Sequence, residues 1–141
     1  MREVTTTSVG ETESLAAELA AGFRGGEVVL LRGELGAGKT AFVRGLARGL
    51  GVDPEEVASP TFVLLTSHPG RLTLFHADLY RLRGDGDEAE LGLEELPGSS
   101  GVLAIEWAER LDSIPWKEPL CVDLRHQGGD ERRVNIERSG P

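Results

Sequence analysis

Cysteine and long apolar segments are scarce in this sequence. Cys121 is the only cysteine among 141 residues, which excludes an internal disulfide and a cysteine-based zinc site. The longest apolar runs, such as residues 28–31, hold about four or five residues, far fewer than the ~18 that a transmembrane helix needs. Residues 1–6 also lack the apolar core of a signal peptide. We therefore expect a cytoplasmic protein with no membrane partner.

Positive charge is also in short supply. The chain has 15 basic and 24 acidic residues, which gives a formal net charge of −9. Broad electrostatic adhesion to DNA or RNA needs a basic face, so we expect no DNA partner, although a local basic patch stays open. Two GTPase motifs are missing as well, namely Asn-Lys-x-Asp, which reads guanine, and Asp-x-x-Gly after a strand.

The apolar pattern predicts one domain over residues 1–141, since this length is typical of a single domain. Apolar residues at helical spacing predict helices that follow Ser8 and begin at Lys39, and Asp53 begins a short helical turn. Short apolar runs predict strands over residues 27–32, 62–67, 71–77, 102–105, 120–124 and 133–136. The second and third of these strands form a predicted hairpin.

A glycine-rich motif follows the first predicted strand. Residues 33–40 read Gly-Glu-Leu-Gly-Ala-Gly-Lys-Thr and fit G-x-x-x-x-G-K-S/T, the phosphate-binding loop (P-loop), which requires a strand before it and a helix after it. The glycines allow backbone N–H groups to point at phosphates, and the helix N-terminus adds a partial positive charge. Lys39 is expected to bind the β and γ phosphates, and Thr40 to offer its hydroxyl to Mg²⁺. The nucleotide-binding residues predicted here are Glu34, Leu35, Gly36, Ala37, Gly38, Lys39, Thr40 and Ala41.

This motif also sets the predicted fold class, which is α/β. We expect a three-layer P-loop domain with a mostly parallel central sheet and added antiparallel strands.

Two carboxylates follow apolar strands in the sequence. Asp78 comes after the run that ends at Ala77, and Glu106 comes after Ile105. A nucleotide site needs a carboxylate at the end of a neighbouring strand, which holds Mg²⁺ directly or through water. Both residues are therefore candidates for the metal site, and the sequence leaves open which of them positions the attacking water.

Four further stretches follow the glycine-rich motif in a fixed order. They are Ser-Pro-Thr-Phe at residues 59–62, His-Ala-Asp-Leu-Tyr-Arg-Leu at 76–82, Leu-Gly-Leu-Glu-Glu at 91–95 and Ile-Glu-Trp at 105–107. Together with the motif they resemble the TsaE (YjeE-type) ATPase family over about residues 8–137. The set is far more specific than the phosphate loop alone.

The resemblance implies an ATPase that uses ATP and Mg²⁺ and supports the formation of threonylcarbamoyladenosine in bacterial tRNA. Such a protein docks on a complex of the TsaB and TsaD proteins and meets tRNA only through that complex. By position, Thr40 and Glu106 are the implied Mg²⁺ ligands, Asp78 is the other acidic residue near the metal, and Lys39, Asp78 and Glu106 form the catalytic set.

Several residues are assigned to a switch or to partner contact. Ser59, Pro60 and Thr61 lie where switch proteins carry a mobile segment over the γ-phosphate, although an N-cap and turn is the alternative. Four residues complete the group, with ordinary packing or a surface ion pair as the alternative for each: His76, Tyr80, Arg81 and Trp107.

The sequence departs from the family pattern at two places. Ala41 stands where many members have a second threonine, so Thr40 must make the metal contact alone. The segment near the C-terminus matches poorly, and Arg133 is assigned to the nucleotide from among several neighbouring arginines.

Two rival functions remain open at this point. A small-molecule kinase also uses a strand, phosphate loop and helix, but it needs an acceptor pocket and an arginine-bearing lid. A nucleotide-binding interaction module differs only in the absence of turnover.

Overall fold

A computed structural model describes residues 2–34, 36–57, 65–80, 92–111 and 113–138. These residues form two α-helices, α1 (Val9–Ala21) and α2 (Lys39–Gly49), and three short 3₁₀ turns at Pro54–Glu56, Leu93–Glu95 and Ala108–Arg110. The strands are β1 (Arg2–Thr6), β2 (Val28–Arg32), β3 (Leu65–His68), β4 (Thr73–Asp78), β5 (Gly101–Glu106), β6 (Leu120–Gly128) and β7 (Glu131–Arg138). No helix in these ranges is long and apolar enough to cross a membrane.

All seven strands belong to one mixed sheet in the order β1-β7-β6-β2-β5-β4-β3. The central strands β6, β2, β5 and β4 run parallel. Outside this centre, β7 pairs antiparallel with β6, β1 pairs antiparallel with β7, and β3 pairs antiparallel with β4. The sheet therefore combines a parallel centre with antiparallel edges, as the sequence predicts.

The two faces of the sheet carry separate apolar cores. Alternate residues of β2 show this, because Val29 and Leu31 pack with both helices while Val28 and Leu30 point to the opposite face. Both helices thus cover the same face. Within the described ranges the opposite face is covered by 3₁₀ turns and loop residues rather than by an α-helix, so the third helical layer stays a prediction.

The ends of the helices follow from local hydrogen bonds. Ser8 caps α1 by accepting the Glu11 N–H at 3.1 Å, and the Glu11 side chain accepts the N–H of Thr7, the residue before the cap, at 2.8 Å. Gly38 is the N-cap residue of α2, and its φ of 101° favours glycine. Both predicted helices and the turn after Asp53 are confirmed.

Other sequence predictions have mixed outcomes. The hairpin joined through His68 to Gly70 is confirmed by the pairing of β3 with β4, although the start of its first strand lies outside the described residues. The closing strand pair is confirmed and longer than predicted. Strand β1 was not predicted, because its residues are largely polar and its place depends on β7, far along the chain.

The two helices approach each other closely along one line of glycines. A Cβ atom at Gly45 would lie 2.2 Å from the Glu13 carbonyl oxygen, and one at Gly49 would lie 2.5 Å from that of Ala17. These distances are too short for any side chain. The absence of a Cβ at these two positions therefore allows α2 to pack this closely on α1.

We expect Gly45→Ala to destabilise the fold by about 1–3 kcal/mol, the usual cost of overpacking a tight contact. Gly10→Ala is the matched control, since a Cβ at this helical glycine meets only the Ser8 Oγ at 3.8 Å, and alanine favours a helix over glycine. Urea unfolding of both variants measures the difference. A Gly45→Ala protein as stable as the Gly10→Ala protein would contradict the close helix contact.

Candidate functional site

The glycine-rich motif at residues 33–40 lies between β2 and α2, where the sequence places it. Gly36 and Gly38 have φ angles of 81° and 101°, in the region that side chains with a Cβ rarely adopt. Ala37 is buried and its N–H donates to the Glu34 carbonyl at 3.0 Å. Leu35 lies outside the described residues.

Lys39 is the first residue of α2, and its ammonium group points back at the loop. The Nζ atom donates to the carbonyl oxygens of Gly33 at 2.5 Å and Glu34 at 2.8 Å. It also lies 4.0 Å from the centre of the Trp107 ring, a cation–π contact. Burial lowers the pKa of Lys39, and nearby carboxylates, Glu106 foremost, oppose that shift. The site thus holds a buried cation among carbonyl groups and an aromatic face.

Glu106 ends β5 and lies directly against α2. Its Oε1 accepts a hydrogen bond from the Thr40 hydroxyl at 2.9 Å, and its Oε2 lies 2.6 Å from the His76 Nε2. Glu106 is 2% exposed and His76 is 1% exposed. The carboxylate therefore links the first turn of α2 to β4.

Asp78 ends β4 and is the register partner of Glu106 in the parallel pair. Its Oδ1 accepts the Tyr80 N–H at 3.0 Å. Burial raises the pKa of Asp78, and the neighbouring charge of Glu106 adds to the shift, while the hydrogen bond from Tyr80 opposes it. The structure thus brings both predicted carboxylates to the same end of the sheet as Thr40.

An aromatic and cationic cluster borders the loop. The rings of Tyr80 and Trp107 lie 5.0 Å apart, and the Arg110 guanidinium lies 5.5 Å from the first ring and 5.7 Å from the second. Trp107 has a φ of 59°, the one positive value at a non-glycine residue in the described ranges, and such a conformation persists only where surrounding contacts enforce it. Its ring contacts both the exposed Tyr80 and the buried Lys39.

Arg132, not Arg133, reaches the loop from β7. An Arg132 Nη donates to the Gly36 carbonyl oxygen at 3.1 Å, whereas the Arg133 Nε lies 3.7 Å from a Glu3 carboxylate on β1. The alternation of side chains between the two faces of β7 could have distinguished Arg132 from Arg133 in the sequence. Val134 faces the helices, so Arg132, two residues earlier, shares that face and Arg133 does not.

The remaining assigned residues divide into two groups. Ala41 lies in the first turn of α2 and is half-buried. Ser59, Pro60, Thr61 and Arg81 lie outside the described residues. Sequence reasoning also missed Glu109, whose carboxylate accepts the Gly33 N–H at 3.4 Å.

The donors at this site suit magnesium and phosphate. A hydroxyl and carboxylates are oxygen ligands, which Mg²⁺ prefers, and Mg²⁺ commonly takes its remaining ligands from substrate phosphates and water. No group of three or more His, Cys, Asp or Glu side chains is arranged to hold a metal in the described part of the chain.

Comparison with known proteins defines the class of this chain. A family model described as "Threonylcarbamoyl adenosine biosynthesis protein TsaE" matches residues 6–134. The chain belongs to the TsaE family, which is named for its role in tRNA threonylcarbamoyladenosine biosynthesis.

Individual relatives agree with this assignment. The tRNA threonylcarbamoyladenosine biosynthesis protein TsaE of Aquifex aeolicus is 45% identical over 98% of this chain and 97% of its own length, and that of Bacillus subtilis is 37% identical over 96% and 84%. The crystal structure of Bacillus subtilis YdiB superposes with a TM-score of 0.79 at 32% identity, covering 99% of this chain and 86% of that one.

We expect Asp78→Asn to stabilise the protein at neutral pH by about 0.5–2 kcal/mol. The raised pKa of Asp78 means that the folded state binds a proton there more tightly than the unfolded chain. The free energy of unfolding therefore falls as pH rises from the ordinary pKa of an aspartate to the raised pKa of Asp78 in the folded state. Asparagine removes the charge and keeps an acceptor for the Tyr80 N–H.

Urea unfolding across a pH series measures this effect. The gain should vanish at acid pH, where the wild-type carboxyl is protonated. Asp130→Asn, at an exposed turn between β6 and β7, is the control and should show no gain of this kind. An Asp78→Asn protein less stable than wild type at neutral pH would contradict the argument.

Proposed function

We propose that this protein is a cytoplasmic P-loop ATPase that binds Mg²⁺·ATP and, docked on the TsaB–TsaD complex, supports threonylcarbamoyl modification of tRNA. The observation that carries the proposal is the convergence of Lys39, Thr40, Asp78 and Glu106 at one end of three adjacent parallel strands. Family membership supports the pathway, and the strand–loop–helix order supports the P-loop fold.

In this proposal the loop and Lys39 bind the phosphates. Lys39 now donates to the Gly33 and Glu34 carbonyl oxygens, and a phosphate oxygen is a stronger partner for an ammonium group because the hydrogen bond is charge-assisted on both sides. The amide groups of the loop and the start of α2 add donors and a partial positive charge. The buried position of Lys39 keeps its charge close to the phosphates.

Thr40 and Glu106 are the proposed residues that hold Mg²⁺. Their oxygen atoms already lie 2.9 Å apart, so little rearrangement is needed to place both on one ion. When bound, Mg²⁺ offsets the negative charge of the phosphates during transfer. Both oxygens of Glu106 have partners in Thr40 and His76, whereas Asp78 stands beside them on the next strand. We therefore assign the orientation of the attacking water to Asp78.

Arg132 is the proposed cationic contact from the last strand. Its guanidinium already lies at the loop, next to Gly36, and arginine suits phosphate because its donors are planar and paired. Arg133 points to the opposite face of β7, toward Glu3. The proposal therefore transfers the nucleotide contact assigned from the sequence to the neighbouring arginine.

The Tyr80 ring offers a short route by which a partner acts on the site. Tyr80 is 43% exposed, its ring packs against that of Trp107 at a tilt of 47°, and Trp107 in turn covers Lys39. A partner that contacts Tyr80 would thus be connected to Lys39 through the ring of Trp107. This arrangement supports an activity that the partners stimulate.

Lys39→Ala should abolish partner-stimulated ATP hydrolysis, with a fall of about 100-fold or more, as for other single charged contacts to a transition state. The measurement compares phosphate release by the protein alone with release in the presence of TsaB and TsaD. Lys117→Ala is the matched control, since Lys117 is the chain's other lysine and is exposed.

Asp78→Asn should keep Mg²⁺·ATP binding and lose turnover.

Two outcomes would overturn the proposed activity. Absence of ATP binding would remove the site itself. Phosphate transfer to a small acceptor, without stimulation by TsaB and TsaD, would instead identify a kinase.

Arg132→Ala should weaken ATP binding by about 10-fold, the effect of losing one hydrogen bond to a charged group. Arg133→Ala, the adjacent change on the other face of β7, should leave ATP affinity unchanged. Titration calorimetry on the two variants distinguishes them. Equal losses, or a loss confined to Arg133→Ala, would contradict the assignment of Arg132.

A further inference from the structure

His76 is a fully buried histidine whose hydrogen bond lies at the candidate metal site. The ring is 1% exposed, and its Nε2 lies 2.6 Å from the Glu106 Oε2. An ionised carboxylate only accepts hydrogen bonds, and the imidazole tautomer that pairs with it is the one with its proton on Nε2. Such a short contact between charged or polar groups is strong when water is excluded.

The position of His76 follows from the pleat of β4. Leu74 packs in the core beneath the helices, and His76 and Asp78 follow at intervals of two residues, so all three share one face. In the parallel register His76 lies opposite Ala104, whose small side chain leaves room for a ring. The imidazole therefore reaches toward the strand end, where Glu106 follows Ala104 on the same face.

We propose that His76 is a positioning residue that holds the Glu106 carboxylate in the orientation that binds Mg²⁺. This inference rests on the proposed function and names a role for a residue that touches neither nucleotide nor metal. With Oε2 bonded to His76, Oε1 faces Thr40. The two candidate metal ligands are thereby held together before a nucleotide arrives.

Loss of the imidazole frees one oxygen of a buried carboxylate. A buried acceptor without a partner is costly, so the carboxylate gains other orientations and the pairing of Oε1 with Thr40 loosens. Partners that orient metal-ligating groups typically contribute 10–100-fold to metal affinity. The effect should therefore appear in the Mg²⁺ dependence of nucleotide binding and not in the binding of nucleotide without metal.

The test measures binding of a non-hydrolysable ATP analogue, first in EDTA and then with increasing Mg²⁺. His76→Ala should leave the affinity in EDTA unchanged and raise the Mg²⁺ concentration at the midpoint by about 10–100-fold. His76→Gln should restore most of the wild-type midpoint, because a glutamine amide nitrogen reaches the position of Nε2, whereas His76→Asn is too short and should not.

His68→Ala is the matched control. His68 is also a strand histidine, but it bonds Thr66 at 3.1 Å and lies opposite Leu74, at the start of β4 and away from the site. Its removal should leave the Mg²⁺ midpoint unchanged. Thermal unfolding of each variant reports whether it is folded. If His76→Ala does not fold, the difference in Mg²⁺ midpoint between His76→Gln and His76→Asn tests the positioning role instead.

The outcomes separate this inference from the proposed function. If the wild type fails to bind the analogue, the proposed function is wrong. If the wild type binds and the His76 variants share its Mg²⁺ midpoint, the positioning role is wrong and the proposed function stands. Equal losses of affinity in EDTA and in Mg²⁺, or no difference between Gln and Asn, would make His76 a structural residue only.

Discussion

The candidate site depends on one constraint, the parallel pairing of β2, β5 and β4. Parallel strands end at the same edge of a sheet, so the loop after β2 meets the carboxylates that end β4 and β5. The register pairs Leu31 with Glu106 and Glu106 with Asp78. A register shift of one residue on β5 would turn Glu106 to the opposite face and replace it with an apolar neighbour.

Helix α2 supplies the other half of the site, and its position depends on packing away from the candidate site. The glycines that face α1 allow the helices to approach, and the apolar residues of α2, such as Phe42 and Leu46, lie on the sheet. Together these contacts place Thr40 at hydrogen-bond distance from Glu106. The precision of the site therefore comes from a rigid core rather than from the loop itself.

The sequence allowed much of this arrangement to be predicted, because its signals are local. The strand, loop and helix around Lys39 follow from spacing, and Asp78 and Glu106 stand out as charges at the ends of apolar runs. The features that the sequence did not predict depend on contacts between residues far apart in the chain. Strand β1 needs β7, the bond of His76 to Glu106 spans 30 positions, and only the pleat of β7 decides that Arg132 faces the loop.

The charges at the candidate site differ from the charge of the protein as a whole. Burial disfavours the charge of Lys39 and that of Asp78, and the protein as a whole carries a net charge of −9, so its field does not attract a polyanionic nucleotide. In the proposed function, the local cations Lys39 and Arg132 and the amide groups of the loop supply the attraction for the nucleotide. A divalent cation held by Thr40 and Glu106, as proposed above, would add positive charge at this point and would couple nucleotide binding to metal binding. Trp107, which has a left-handed backbone conformation, contacts both Lys39 and Tyr80, so the buried lysine is connected through one ring to an exposed side chain.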